Sequence, residues 1–169
     1  LTVQTLLLPD LETAAVSSGT LDFIERFTAR QSIPVVYAET GMELPLGQGT
    51  LTVLSTGLVF PQAQGQAGAA VTADNSVNDL SLCLRYVVGG FSFLDTGDAE
   101  KEEEAALVQQ YGGSLKSTLF KAGHHGSSTS NTWELLEAVQ PQAVAISCGL
   151  NNDYGHPHAA VLARYEAQN

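Results

Sequence analysis

Three short polar segments follow apolar runs of the chain, and they hold the side chains best suited to chemistry. They are residues 91–98, 121–128 and 151–158. In layered α/β proteins, the loops that leave the ends of strands gather at one edge of the sheet, and binding sites form there. We therefore expect these three loops to share a site.

All four histidines lie in the second and third segments, within 35 positions of one another. They are His124, His125, His156 and His158. The first segment contributes Asp98, which follows a glycine that lets the chain turn. Carboxylates and imidazoles are ligands of zinc, manganese and iron, and an Asp that bridges two ions with one His on each suits a shared water nucleophile. The residue types thus indicate a candidate metal site.

Each segment taken alone also has an ordinary explanation. Asp98 could cap the helix that follows it, His124 and His125 could be solvated loop residues, and His156 could stand at a helix start before Pro157. The order and spacing of the three segments favour the metal site over these explanations.

An α/β pattern surrounds these loops. Residues 5–8 and 33–37 have the composition of strands, and residues 20–30 are predicted to form a helix with Thr20 as its N-cap. This order predicts a βαβ-like unit in a sheet that helices cover. Residues 41–49 are predicted to form turns, and residues 50–54 the next strand.

A hairpin and three further helices are predicted for the second half of the chain. Residues 80–86 and 91–94 alternate as strands around Gly89-Gly90. The predicted helices are 100–111, 132–139 and 157–167, with Asn131 and Glu134 as a capping-box variant for the second. The remaining predicted strands are 118–121 and 143–147. Residues 59–79 have no periodicity and are predicted to form a long flexible loop.

Charge and composition limit the possible partners. A net charge of −11 with only seven Lys and Arg residues argues against an extended surface that grips nucleic-acid backbones. Contact with a single phosphate at a metal centre stays open. No apolar stretch approaches the roughly 18 to 20 residues of a membrane span. The isolated Cys83 and Cys148 are predicted to be buried free thiols.

Four stretches of the sequence resemble a known family. They are residues 78–84, 89–100, 121–127 and 154–158, with the Thr96-Gly97-Asp98 and His124-His125-Gly126-Ser127 elements as the most specific pair. Together they resemble the metallo-β-lactamase-like domain of ComEC competence proteins, and the resemblance runs through nearly the whole chain. It implies an α/β fold, an αββα sandwich that houses two divalent ions, zinc or manganese.

The resemblance also implies roles for individual residues. Asp98 would bridge both ions, and His124 or His125 would hold the second ion with the other imidazole near the substrate. The implied catalytic residues are Asp98, His125 and His156. The implied substrate-side residues are Asn78, Ser127, His156 and His158. The start of the last helix and His156 would face an anionic phosphate.

One departure from the family pattern is large. The HxHxDH motif, which supplies most of the metal ligands in the superfamily, is absent, because no histidine precedes His124. In the family this motif lies just upstream of the segment matching residues 1–9. We therefore expect residues 1–169 to be a single partial domain, truncated on its N-terminal side, that binds metal weakly and is inactive by itself.

The implied activity is hydrolysis of a phosphodiester, in a nuclease-like domain that acts on DNA during uptake for transformation. The implied partners are single-stranded DNA and the membrane-channel portion of the same polypeptide. The domain would be a soluble part of a bacterial inner-membrane protein on its periplasmic or extracellular face. Two alternatives are a cell-surface phosphoesterase resembling phosphorylcholine esterase and a non-catalytic docking module of the DNA-uptake channel.

Overall fold

The structure is a computed structural model of the chain, and it describes residues 3–9, 18–57 and 77–168. Within these ranges the chain forms a mixed α/β fold with a two-stranded and a six-stranded sheet, so the predicted α/β class is confirmed. None of the described helices is long and apolar enough to cross a bilayer. The predicted loop at 59–79 lies largely outside the described residues, and a 3-10 turn begins at its end, over Val77–Leu80.

The two-stranded sheet belongs to a βαβ unit. Strand β1 (Leu6–Leu8) pairs in parallel with β2 (Val35–Tyr37), and helix α1 (Ser18–Gln31) connects them in the sequence. The βαβ prediction is therefore confirmed. Thr20 lies inside α1, so its prediction as the N-cap is wrong.

The six-stranded sheet has the order β3-β4-β5-β6-β7-β8. Its strands are β3 (Glu43–Leu46), β4 (Gly49–Ser55), β5 (Cys83–Val88), β6 (Phe91–Asp95), β7 (Leu119–Lys121) and β8 (Ala143–Ala145). The pairs from β3 to β6 are antiparallel, and β6-β7-β8 are parallel. The predicted hairpin at Gly89-Gly90 is confirmed. The prediction of turns alone over 41–49 is wrong, because β3 is an edge strand, where Pro45 is tolerated.

Three more helices follow the last three strands, one after each of β6, β7 and β8. They are α2 (Lys101–Tyr111), α3 (Trp133–Val139) and α4 (Ala159–Glu166). The N-cap of α3 is Thr132, whose hydroxyl accepts the Leu135 N–H at 3.4 Å, and the capping role predicted for Asn131 is wrong. Helix α4 begins after Pro157, two residues later than predicted.

The core lies between the six-stranded sheet and helices α2 and α3. Its fully buried side chains include Leu94 and Phe120 from the sheet and Leu107, Leu135 and Leu136 from the helices. Burial of such side chains contributes about 1.5–3 kcal/mol each to stability. Both cysteines are free thiols. Cys83 is buried as predicted, whereas Cys148 is exposed, because it follows the end of β8.

Candidate functional site

The carboxyl ends of three parallel strands meet at one edge of the six-stranded sheet. Asp95, Lys121 and Ala145 are register partners across β6, β7 and β8. Parallel pairing sends the segments that follow these strands out from the same edge. Those segments carry the three polar loops identified in the sequence, and the fold thereby places the loops side by side.

The loop after β6 holds Asp98 by backbone contacts. The N–H of Gly97 donates to Asp95 Oδ1 at 2.9 Å, and the N–H of Asp98 donates to Ser81 Oγ at 3.0 Å. Gly97 has φ of +59°, and an added Cβ would lie 2.9 Å from the Ser81 Cβ. Glycine is therefore required here, and the Asp98 carboxylate, with 40% of the side chain exposed, projects from a fixed turn.

The loop after β7 is tied to both of its neighbours. The N–H of His124 donates to Gly97 O at 2.9 Å, which joins it to the Asp98 loop. The carbonyl of Gly126 accepts the N–H of His158 at 3.0 Å, which joins it to the third loop. A Cβ on Gly126 would lie 2.7 Å from the Pro157 Cβ, so only glycine permits this approach.

These ties bring Asp98 and three imidazoles together. His125 Nε2 lies 3.7 Å from Asp98 Oδ1. The His156 ring centroid lies 5.6 Å from that of His124 and 6.4 Å from that of His125. The carboxylate and the histidine pair, 27 positions apart at most in sequence, therefore share one end of the sheet.

A backbone carbonyl orients His125. Its Nδ1 lies 2.8 Å from the carbonyl oxygen of Ser147, in the segment that follows β8. Because a carbonyl can only accept, Nδ1 carries the hydrogen, and in the neutral ring Nε2 keeps its lone pair. That lone pair is on the nitrogen that faces Asp98, which is the arrangement of a histidine prepared to bind a metal.

Glu100 is a site residue that sequence reasoning missed. Its Oε1 lies 3.6 Å from His124 Nδ1 and accepts hydrogen bonds from Thr129 Oγ1 and Asn78 Nδ2, both at 3.1 Å. A carboxylate at Nδ1 favours a hydrogen on that atom and leaves Nε2 available. Its place two residues after Asp98 is a signal in the sequence, but a position at the start of the predicted helix 100–111 explains a glutamate equally well.

The two histidines of the third loop differ in their contacts. His158 Nδ1 accepts the Ser128 N–H at 2.9 Å, and its Nε2 lies 3.1 Å from the carbonyl of Tyr154, so both ring nitrogens meet backbone. The backbone of His156 is bound by Asn152: the His156 N–H donates to Asn152 Oδ1 at 3.0 Å, and Asn152 Nδ2 donates to the His156 carbonyl at 2.6 Å. Partial burial, and then the neighbouring imidazoles, lower the pKa of His156, while Asp98 opposes this effect.

The other two predicted substrate-side residues are Ser127 and Asn78. Ser127 is buried, and its hydroxyl lies 3.0 Å from Thr129 Oγ1. Asn78 contacts Glu100, as described above. Next to it, the buried Asp79 accepts the Glu100 N–H at 2.8 Å, and burial raises its pKa. These contacts fix the position of Glu100 beside His124.

The donor types at this edge suit a divalent cation, since carboxylate oxygens and imidazole nitrogens are ligands of zinc and manganese. Within residues 3–9, 18–57 and 77–168, however, no three His, Cys, Asp or Glu side chains are arranged to hold a metal ion. Two carboxylate–imidazole pairs are described at the site, Asp98 with His125 at 3.7 Å and Glu100 with His124 at 3.6 Å. The site therefore has the donor types that a divalent metal ion takes, but the described residues do not complete a coordination shell.

Comparison with known proteins gives an independent view. No protein-family model matches the chain. It is 44% identical over 90 residues to Competence protein ComA of Neisseria gonorrhoeae, covering 53% of this chain and 13% of that protein. It is 42% identical over 87 residues to ComE operon protein 3 of Bacillus subtilis, covering 52% of this chain and 11% of that protein.

A third similar protein is Recombination protein 2 of Haemophilus influenzae, with 40% identity over 93 residues, which covers 54% of this chain and 11% of that protein. In each of the three relatives the matched segment is therefore only about an eighth of the protein's length or less. The similarities support a relationship of the chain to the ComEC family of competence proteins.

Proposed function

We propose that this chain carries part of the metal site of a phosphodiester-hydrolysing domain in a ComEC-type competence protein, which acts on DNA during uptake. The observation that supports it most is the approach of His125 Nε2 to Asp98 Oδ1 at 3.7 Å, with His124 and His156 alongside. The names of the relatives supply the competence context. The domain would have the metallo-β-lactamase-like sandwich, of which the six-stranded sheet forms one layer.

Individual residues would divide the work as follows. Asp98 and His125 would hold one cation, and His124, whose Nδ1 lies beside Glu100, would help to hold a second. Divalent ions in these positions lower the pKa of a water molecule and stabilise charge on phosphate oxygens. His156, whose ring lies beside those of His124 and His125, could accept a proton or donate a hydrogen bond to a phosphate oxygen.

Among the described residues, the proposed donors are too few for tight binding. Asp98, His124 and His125 supply three side chains, whereas a firm zinc site takes four donors. We propose that the remaining ligands come from outside the described residues. The chain by itself then binds metal weakly and has no useful hydrolytic rate.

The charge of the chain suggests how DNA would be engaged. With seven basic residues and a net charge of −11, the chain has little to offer a long stretch of phosphates. We propose that a single strand is held elsewhere, by the channel portion of the same polypeptide, and meets this domain at one phosphate. A periplasmic or extracellular position would suit degradation during uptake.

A hydrolysis assay tests the proposal. A longer polypeptide that contains this sequence is incubated with Mn²⁺ or Zn²⁺ and a single-stranded oligonucleotide, or with a choline-bearing phosphodiester. We expect metal-dependent cleavage of the oligonucleotide that Asp98→Asn abolishes, and that Asp22→Asn, an exposed carboxylate on α1, leaves unchanged. Cleavage of the choline ester alone would favour a cell-surface phosphoesterase. Neither metal binding nor cleavage would favour a docking module.

Tight stoichiometric metal binding with turnover by residues 1–169 alone would contradict the donor count. The same assay is therefore also carried out on residues 1–169 alone.

A further inference from the structure

The loop that carries the histidine pair has an unusual backbone. His124 and His125 are both left-handed, with φ of +47° and +57°. This conformation is unfavourable for residues with a side chain, and consecutive left-handed residues other than glycine persist only where surrounding contacts determine them. Something in the fold must hold this loop.

The amide of Asn131 closes the loop at both ends. Its Oδ1 accepts the N–H of Gly123 at 2.9 Å, and its Nδ2 donates to the carbonyls of Gly123 at 2.9 Å and Ser127 at 3.1 Å. Residues 124–126, which include both imidazoles, lie between these anchor points. Asn131 is fully buried, so water does not compete for these bonds.

Asn131 is itself held in place by the helices behind it. Its N–H donates to Glu104 Oε1 at 2.6 Å, and its carbonyl accepts from Arg164 at 2.9 Å. The hydroxyl of Tyr165 donates to Asn131 Oδ1 at 2.6 Å. Because Oδ1 faces two donors and Nδ2 faces two carbonyls, the amide has one orientation that satisfies every group.

No other residue type meets all of these requirements. The backbone of Asn131 is left-handed, with φ of +62°, a conformation that Asn adopts more readily than other side chains. Asp would lack the two donors and would place a carboxylate beside Glu104. Gly would adopt the backbone and lose the amide.

We propose that Asn131 is a positioning residue: it fixes the left-handed loop at His124 and His125 and thereby holds the His125 imidazole beside Asp98 and the His124 imidazole beside Glu100. Asn131 contacts none of these three side chains and acts only through the backbone of residues 123–127. The consequence for metal affinity rests on the proposed function, whereas the effect on the loop can be measured without metal.

The test compares Asn131→Gly and Tyr165→Phe with Gln140→Gly. Gln140 is exposed and also left-handed, with φ of +44°, so its glycine variant controls for backbone effects away from the loop. Amide hydrogen exchange at Gly123 and along β7 is measured on the metal-free chain by NMR. Zn²⁺ affinity is then measured by titration of a longer polypeptide that contains the sequence.

We expect the Gly123 amide of Asn131→Gly to exchange about tenfold faster while the β7 amides keep their rates. Zn²⁺ affinity should fall by about tenfold or more. Tyr165→Phe should change both quantities in the same direction by less, and Gln140→Gly should change neither. If Asn131→Gly fails to fold, Tyr165→Phe decides by the same two measurements.

Unchanged exchange at Gly123 in the variants would overturn the inference, whatever the metal does. Faster exchange with unaltered Zn²⁺ affinity would overturn the positioning role. If the unmodified polypeptide binds no Zn²⁺, the proposed function fails, and the exchange rates still show whether Asn131 holds the loop.

Discussion

The carbonyl oxygen of Ser147 lies 2.8 Å from Nδ1 of His125. This contact joins the segment after β8 to the loop after β7, and it determines which ring nitrogen of His125 carries the hydrogen. The opposite nitrogen then faces Asp98, which follows β6. Three neighbouring parallel strands thus contribute one element each to a single arrangement: a carboxylate, an imidazole and the carbonyl that orients it.

Replacing His125 with Asn separates the bond to Ser147 from the proposed binding of metal by Nε2. The Asn Nδ2 can occupy the place of the imidazole Nδ1 and keep the bond to Ser147, but no atom replaces Nε2. We expect the free energy of unfolding to change by less than about 1 kcal/mol, while Zn²⁺ affinity falls by about tenfold or more. Urea unfolding and metal titration measure the two effects. Equal Zn²⁺ affinity of His125→Asn and the unmodified chain would contradict the role of Nε2.

The Asp98 turn should not tolerate a side chain at Gly97. Gly97→Ala meets both a left-handed backbone and the Ser81 Cβ at 2.9 Å, whereas Gly89→Ala meets a left-handed backbone with nothing within 4 Å. We expect Gly97→Ala to destabilise the fold by about 1–3 kcal/mol more than Gly89→Ala. Urea denaturation of both variants checks this difference. Equal stabilities would show that the turn can accommodate a Cβ at position 97.

Much of this arrangement could be predicted from sequence, because strands that end in glycine-flanked polar loops indicate the edge of the sheet where a site forms. Glu100 and Asn131 were not recognised as site-forming residues, since their roles depend on contacts with His124 and with residues 123–127 that only the folded chain creates. The contribution of Ser147 comes from its backbone, which no residue type reveals. Strand β3 was missed because Pro45 argues against a strand except at an edge.

Stability should depend on pH through Glu103, which is fully buried on α2. Its oxygens have no hydrogen-bond partner among the described residues, and the Ser55 hydroxyl beside it donates to the Gly57 carbonyl. Burial, with a small contribution from Asp79, raises the pKa of Glu103 from 4.5 to about 7, and the neighbouring Ser55 hydroxyl opposes this shift. The folded chain therefore holds a proton that the unfolded chain releases between these values.

A raised pKa of this kind stabilises the fold below pH 4.5, and the stabilisation is lost as the pH rises through 7. Relative to Glu103→Gln, which stays neutral, the unmodified chain should lose up to about 3 kcal/mol between pH 4.5 and 7.5. Urea unfolding of both proteins across this range measures the difference. A difference that does not change with pH would show that Glu103 does not titrate in this range.

We propose above that Asp98 and the histidine pair form a binding site for divalent metal. Equilibrium titration of the chain with Zn²⁺ tests it most directly, with Asp98→Asn and the exposed Asp22→Asn as the matched pair of variants. We expect weak, saturable binding of Zn²⁺, with an affinity that Asp98→Asn lowers by about tenfold or more and that Asp22→Asn leaves unchanged. Equal affinity of Asp98→Asn and the unmodified chain, or no saturable binding by the unmodified chain, would contradict it.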